Sequence, residues 1–68
     1  MNILKSLGTV VTIGRLTVRR AGQEYHYPPD LPGVFAHGVL FVRGDNSQIS
    51  AHPVSDIVEA SAITEYRG

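Results

Sequence analysis

The side chains best suited to metal binding or proton transfer are the three histidines, His26, His37 and His52. Neutral imidazole is a good zinc ligand, so histidines on three different strands could converge on one ion. Their spacing contains no i, i+2 or i, i+4 pair. Scattered histidines on strands more often make a single structural hydrogen bond. The sequence therefore predicts no metal site, and nothing in it indicates a cofactor.

A hydrolytic site could be assembled from one of two serines, Ser50 or Ser55, together with His52 and Asp56. A working triad needs its members in mutual hydrogen-bond reach, and neither serine has the glycine frame of a nucleophile elbow. Ser55 and Asp56 are better explained as turn formers. We therefore predict a non-enzymatic protein with no catalytic residues, and a metal-dependent or hydrolytic enzyme is the most distant alternative.

Arginine is concentrated in the first predicted strand, where Arg15 and Arg19 project from one face. Tyrosines are expected on the neighbouring strand, and guanidinium groups beside aromatic rings are typical of sheets that bind nucleic acid. Against this, the formal net charge is zero, and arginines also protect a solvated edge strand. Nucleic-acid binding is therefore the alternative function, with the candidate residues Arg15, Arg19, Arg20 and Arg43.

Aromatic and proline residues form a third candidate surface, next to the apolar run 33–44. This composition is common in interfaces, although the same residues could cap one end of the core. The run is apolar on both faces, more than one thin layer can cover, which predicts a partner chain. The candidate interface residues are Tyr25, Tyr27, Pro29, Leu31, Phe35, His37, Val39 and Phe41.

Most of the candidate residues named above are expected to lie on β-strands. Residues 9–20 are rich in Val, Thr and Ile, and the apolar phase changes at Gly14, which predicts a β-bulge at Gly14-Arg15. A short strand at 24–27, a central strand at 34–43 and a returning strand at 48–52 are expected next. Prolines interrupt the chain between the first two of these, and the turn Gly44-Asp45-Asn46-Ser47 joins the last two.

The two ends of the chain are less regular. Ile3, Leu4 and Leu7 have the spacing of a short helical turn, which we expect to pack on the sheet, the alternative being part of the first strand. After a 3₁₀ turn near residue 55, residues 58–66 are predicted as a strand, with a short helix as the alternative. The fold class is mainly β: a five-stranded curled antiparallel sheet or an SH3-like barrel in one domain, 1–68.

Composition limits the class of protein. A chain of 68 residues without cysteine has a marginal core, which favours self-association. Residues 1–43 carry five basic and two acidic residues, and residues 44–68 carry one basic and four acidic ones. The charges could form complementary faces or interleave in the fold. No apolar run is long enough for a membrane span, so a cytoplasmic protein without a membrane partner is expected.

The function predicted from these features is that of a small binding module acting through protein-protein contacts. We expect a homo-oligomer, or an accessory subunit or regulator of a larger complex, with a protein as its partner. Small stand-alone chains of this size are typical of phage or mobile-element accessory proteins, an expectation that comes from length and from no particular residue.

Overall fold

One long strand, β1 (Val11–Arg20), organises the fold of the computed structural model, which describes residues 3–44 and 47–66. The other elements are helix α1 (Ile3–Leu7), β2 (Gln23–His26), β3 (Leu31–Ala36), β4 (Val39–Arg43), β5 (Ile49–Pro53), a 3₁₀ turn (Val54–Asp56) and β6 (Ile57–Glu65). The hydrogen-bonded path runs β2-β1-β3-β4-β5, and β6 pairs with β1 outside this path. All five strand pairings of the described residues are antiparallel.

The observed sheet confirms the predicted fold class. It is a curled antiparallel half-barrel with five strands along the main path, a short N-terminal helix and a C-terminal strand in place of the alternative helix. The predicted turn between β4 and β5 includes Asp45 and Asn46, which lie outside the described residues. The Ser47 N–H donates to the Gly44 carbonyl at 3.0 Å beside them. None of the described residues belongs to a helix with the length and apolarity needed to cross a bilayer.

The single central strand predicted at 34–43 is wrong, because this run folds into the β3–β4 hairpin. Its turn is formed by His37 and Gly38, whose φ angles are 55° and 73°. Two consecutive positive φ values are typical of a type I′ turn, which matches the twist of the flanking strands. The excess of apolar residues thus belongs to two strands that each bury side chains, so it no longer argues for a partner chain.

The predicted β-bulge lies elsewhere in the sheet. The pairing of β1 with β6 keeps one register from Val11 to Thr17 and shifts between Thr17 and Val18, where Val58 is the additional residue of β6. The sequence placed the bulge at Gly14-Arg15 because the apolar phase of β1 changes there. The bulge is therefore on the partner strand, near the other end of the ladder.

At Gly14 the phase of β1 changes without a shift in register. Ile13 is fully buried and so is Leu16, three positions later, which places odd-numbered and then even-numbered residues in the core. Ala62 lies opposite Gly14 in β6 and has a φ of 54°, so both strands deviate from regular geometry at the same level. A Cβ atom on Gly14 would lie 2.6 Å from the Ala62 Cβ, and only glycine fits there.

The core lies on the inner side of the half-barrel. Its buried cluster comprises Ile13, Leu16, Val18, Leu31, Leu40 and Val42. Val34 is also fully buried but pairs with Phe41, on the opposite side of the hairpin from Leu40. Helix α1 contacts β3 and β4, and its Leu4 is fully buried. The helix therefore packs on the outer side of the hairpin, as predicted for the N-terminal turn.

Candidate binding surface

Tyr25 lies in a row of side-chain contacts between the two ends of the sheet path. The guanidinium carbon of Arg20 is 5.9 Å from the Tyr25 ring centroid, and the Tyr27 ring meets Tyr25 edge-to-face with centroids 4.8 Å apart. The Tyr27 ring in turn meets His52 at 5.6 Å, also edge-to-face. We call Arg20, Tyr25, Tyr27 and His52 the aromatic row. It connects β1 and β2 to β5.

The register of β2 explains where the tyrosines point. Tyr25 is the partner of Val18 in β1, and antiparallel partners share a face of the sheet, so Tyr25 lies on the same side as this core residue. The Tyr27 N–H donates to the Leu16 carbonyl at 3.0 Å, one pairing position beyond β2. The prolines that follow lack an N–H, so the pairing with β1 ends at Tyr27. The Tyr27 side chain is directed toward β5.

The Tyr27 hydroxyl and the His52 Nε2 are 2.7 Å apart. His52 is only 7 % exposed, and this burial is the main cause that lowers the pKa of His52 from its usual value. The positive charge of Arg20 lowers this pKa further, while the negative charge of Asp56 acts in the opposite direction as the smallest of the three effects. The ring therefore favours its neutral form, which can accept the Tyr27 proton at Nε2.

We expect the free energy of unfolding to decrease as the pH falls below about 6.5, the usual histidine value. Because the pKa of His52 is lowered in the folded state, the unfolded chain binds the proton more readily. The stabilisation that comes from neutral His52 is fully present above the pKa of His52 in the unfolded chain. It is lost as the pH falls toward the pKa of His52 in the folded protein. Urea denaturation at pH 7.5, 6.5 and 5.5 measures this dependence.

Two variants test the titration of His52 and its hydrogen bond to Tyr27 separately: His52→Gln removes the titrating ring, and Tyr27→Phe removes the hydroxyl. The first variant should have a flatter pH profile than the wild type, with the remaining slope due to other groups. Tyr27→Phe should lose about 0.5–1.5 kcal/mol at pH 7.5, the usual net value of one hydrogen bond. A pH profile of His52→Gln that coincides with the wild-type profile would contradict the role assigned to His52.

The opposite side of β1 carries an open groove of about 420 Å³. Its lining residues are Gly14, Arg15, Leu16, Thr17, His26, Tyr27, Pro29 and Glu59. The Thr17 Oγ1 and the His26 Nδ1 are hydrogen-bonded at 2.9 Å within it, and Glu59 accepts a 3.3 Å hydrogen bond from Ser61. The groove thus presents a guanidinium and a carboxylate together and has no dominant charge.

The predicted arginine stripe is accompanied by acids. Arg19 pairs with Glu24 in β2, and Thr17, which lies between the two arginines, pairs with Glu59 in β6. Glu59 belongs to the acidic half of the sequence and lies against β1, whereas Arg19 and Glu24 both belong to the basic half. Two residues of the charge count, Asp45 and Arg67, lie outside the described residues. Arg15 and Arg19 lie on the face opposite Tyr25, so neither of them is combined with this ring, although Arg15 and Tyr27 line the same groove.

The remaining candidate arginines lie apart from each other. Arg20 is the one that contacts a tyrosine ring among the described residues. Arg43, at the end of β4, instead lines a second open groove together with Pro29 and Asp30. Pro29 belongs to both grooves, because the proline segment forms the wall between them.

The eight predicted interface residues do not form one patch. Leu31 is buried in the core, so its prediction as an interface residue needs correction. Val39 and Phe41 are half-buried on the outer side of the hairpin, and His37 is exposed in its turn. Phe35 is exposed on the same side of the sheet as Leu40. The structure brings Tyr25 and Tyr27 together and adds Arg20 and His52 to them.

The three histidines have three separate environments. His26 is bonded to Thr17, His37 lies in the hairpin turn, and His52 belongs to the aromatic row. Across residues 3–44 and 47–66, no group of three or more potential ligands is placed to hold a metal ion. The sequence does not reveal the hydrogen bond of His52, because its partner Tyr27 is 25 positions away in the chain.

Of the surfaces described, the aromatic row combines an exposed ring with a cation held against it. The strand groove offers mixed charges, and the outer side of the hairpin is partly covered by α1. The chemistry of the aromatic row therefore gives the best basis for a function. Comparison of the chain with protein-family models, curated proteins and solved structures gives no match.

Proposed function

We propose that this protein is a non-enzymatic binding module that acts through protein-protein contacts made by the aromatic row. The observation that supports the proposal is the state of Tyr25, which is 45 % exposed and yet contacted by Arg20 on one side and Tyr27 on the other. Tyrosine and arginine are enriched among residues that dominate binding energy, and a side chain that is already ordered loses little entropy on binding.

The same side of the sheet supplies a second exposed ring. Phe35, Leu40 and His52 are neighbours across β3, β4 and β5, so Phe35 lies two strand spacings, about 10 Å, from His52. Leu40 is buried between them, whereas Phe35 is about as exposed as Tyr25. A partner on the aromatic row could therefore extend its apolar contact to Phe35.

We also propose that the protein acts in the cytoplasm, either as a homo-oligomer or as an accessory subunit or regulator of a larger complex. Phages and mobile elements use small proteins of this kind. Association with another chain is supported by the amount of apolar surface left uncovered on a small chain. Among the described residues, six large apolar side chains are 40–47 % exposed. A protein of this size without disulfides gains stability when such surface is covered.

Replacement of Tyr25 by alanine is expected to abolish capture of the partner from a lysate of the organism that encodes the chain. The matched control is Ile63→Ala, since Ile63 is equally exposed but lies on β6, away from the row. Circular dichroism should show both variants folded. Capture that is unchanged in Tyr25→Ala, or equally reduced in Ile63→Ala, would contradict the assignment to the aromatic row.

Nucleic-acid binding is the second candidate function, and the Arg20-Tyr25 contact is the observation in its favour. A ring can stack on a base while the guanidinium binds the adjacent phosphate. This function predicts binding of oligo(dT) that weakens steeply between 50 and 200 mM salt and is reduced in Arg20→Ala. Absence of retention on an oligonucleotide column at 50 mM salt would exclude it.

A further inference from the structure

We propose that the aromatic row binds an acidic peptide segment, in which one carboxylate contacts Arg20 and a neighbouring apolar side chain packs on Tyr25. This inference rests on the proposed protein-binding function and specifies the chemistry of the partner. It is argued from three properties of the row: the charge environment of Arg20, the field that this residue produces, and the geometry of its contact with Tyr25.

Arg20 differs from the adjacent Arg19 in its cross-strand neighbour. Its partner in β2 is the uncharged Gln23, whereas Arg19 is paired with Glu24. The Arg20 guanidinium contacts an aromatic ring, and it forms no salt bridge with any residue in 3–44 or 47–66. An exposed cation of this kind is complementary to a carboxylate.

The positive charge of Arg20 extends over the row. It is one of the causes that lower the pKa of His52, and its effect there exceeds the opposing effect of Asp56. At His52 the positive charge of Arg20 thus outweighs the negative charge of Asp56, even though the chain as a whole carries no formal net charge. A partner segment with carboxylates is attracted to this surface, and one with lysines is repelled.

The geometry favours a carboxylate with an apolar neighbour. An arginine can bind a carboxylate through two parallel hydrogen bonds, and stacking against a ring leaves the edge of the guanidinium available. The Tyr25 ring, whose centroid is 5.9 Å from the Arg20 guanidinium carbon, is itself exposed. In an extended peptide, side chains two positions apart point to the same face, so one can reach Arg20 and the other can reach Tyr25.

The test uses the folded full chain and two synthetic probes, acetyl-Glu-Ser-Phe-Ser-Glu-amide, in which the acidic and aromatic side chains share one face when the peptide is extended, and the same peptide with glutamine at each glutamate. NMR titration in 50 mM salt should show shifts at Arg20, Tyr25 and His52 with the acidic probe. The glutamine probe should bind at least tenfold more weakly. Arg20→Gln should weaken binding of the acidic probe about tenfold, and Arg20→Lys should retain part of it.

Arg15→Gln is the matched control, because Arg15 is exposed on the same strand but faces the other side of the sheet. Binding of the acidic probe should be unchanged in this variant. Equal weakening by Arg15→Gln and Arg20→Gln, or equal binding of the two probes, would overturn the proposal. Thermal melts of each variant verify that it is folded.

Two further outcomes would assign the row to a different occupant and so also overturn the proposal. Oligo(dT) that displaces the acidic probe and binds more tightly would identify nucleic acid. Self-association that is abolished by Arg20→Gln, seen by light scattering, would identify a second copy of the chain. If neither peptide binds but Tyr25→Ala still abolishes capture of the protein partner, the binding function stands and only the acidic chemistry is wrong.

Discussion

Leu40→Ala is expected to reduce the free energy of unfolding by about 2–5 kcal/mol, the range for truncation of a buried leucine. Leu40 is fully buried in the core cluster and lies between Phe35 and His52 across three strands. A domain of this length has a total stability of roughly 3–10 kcal/mol, so the variant should be close to unfolded at 37 °C. Urea denaturation followed by circular dichroism measures the loss.

The matched control is Leu7→Ala, which removes the same atoms from a leucine that is 40 % exposed at the end of α1. Its loss should remain below about 1 kcal/mol, because little area is returned to water and no cavity is formed. Similar losses in the two variants would mean that the core is not centred on the inner side of the half-barrel.

The second large effect is expected for Gly14→Ala, with a loss of about 1–3 kcal/mol or more. The new Cβ would lie 2.6 Å from the Ala62 Cβ and 3.2 Å from the Ala62 carbonyl oxygen, so β1 and β6 must move apart at this position. Gly44→Ala is the control for the loss of glycine alone, since a Cβ at Gly44 meets no atom within 4 Å.

Ala62→Gly should rescue Gly14→Ala. It removes the methyl group that the new side chain meets, and glycine adopts the φ of 54° at this position without strain. In a double-mutant cycle, the double variant should therefore be more stable than the sum of the two single changes predicts. Strict additivity would show that the two positions do not contact each other in the folded protein.

The strands could be predicted because Val, Thr and Ile alternate along them, but the hairpin within residues 33–44 could not. Its turn is formed by His37 and Gly38 inside an apolar run, without the Asn-Gly or Asp-Gly pair that usually marks a type I′ turn. Gly38 was the available signal. Because glycine also occurs in strands, residues 34–43 were compatible with a single strand until the pairing was known.

Three members of the aromatic row are candidates from sequence, but in separate surfaces. Arg20 is a candidate for nucleic-acid binding and Tyr25 and Tyr27 for a protein interface, whereas metal binding and catalysis are rejected for His52, which is left without a predicted role. Their proximity depends on the face that each strand turns inward, and a phase change of one residue exchanges the two faces. That change occurs at Gly14 and is shared with Ala62, from a strand more than forty residues away in the chain.

The irregular geometry of β6 has a further consequence for the behaviour of the protein at high concentration. Its second edge has no partner strand among the described residues, and a regular free edge of nine residues would template fibril growth. The bulge at Val58 and the positive φ of Ala62 divide this edge into two segments of three residues, Glu59–Ser61 and Ile63–Glu65. Each segment carries a glutamate, so strand addition is short and brings like charges together. We therefore expect that the deviation that lets Gly14 fit against Ala62 also limits aggregation of the domain.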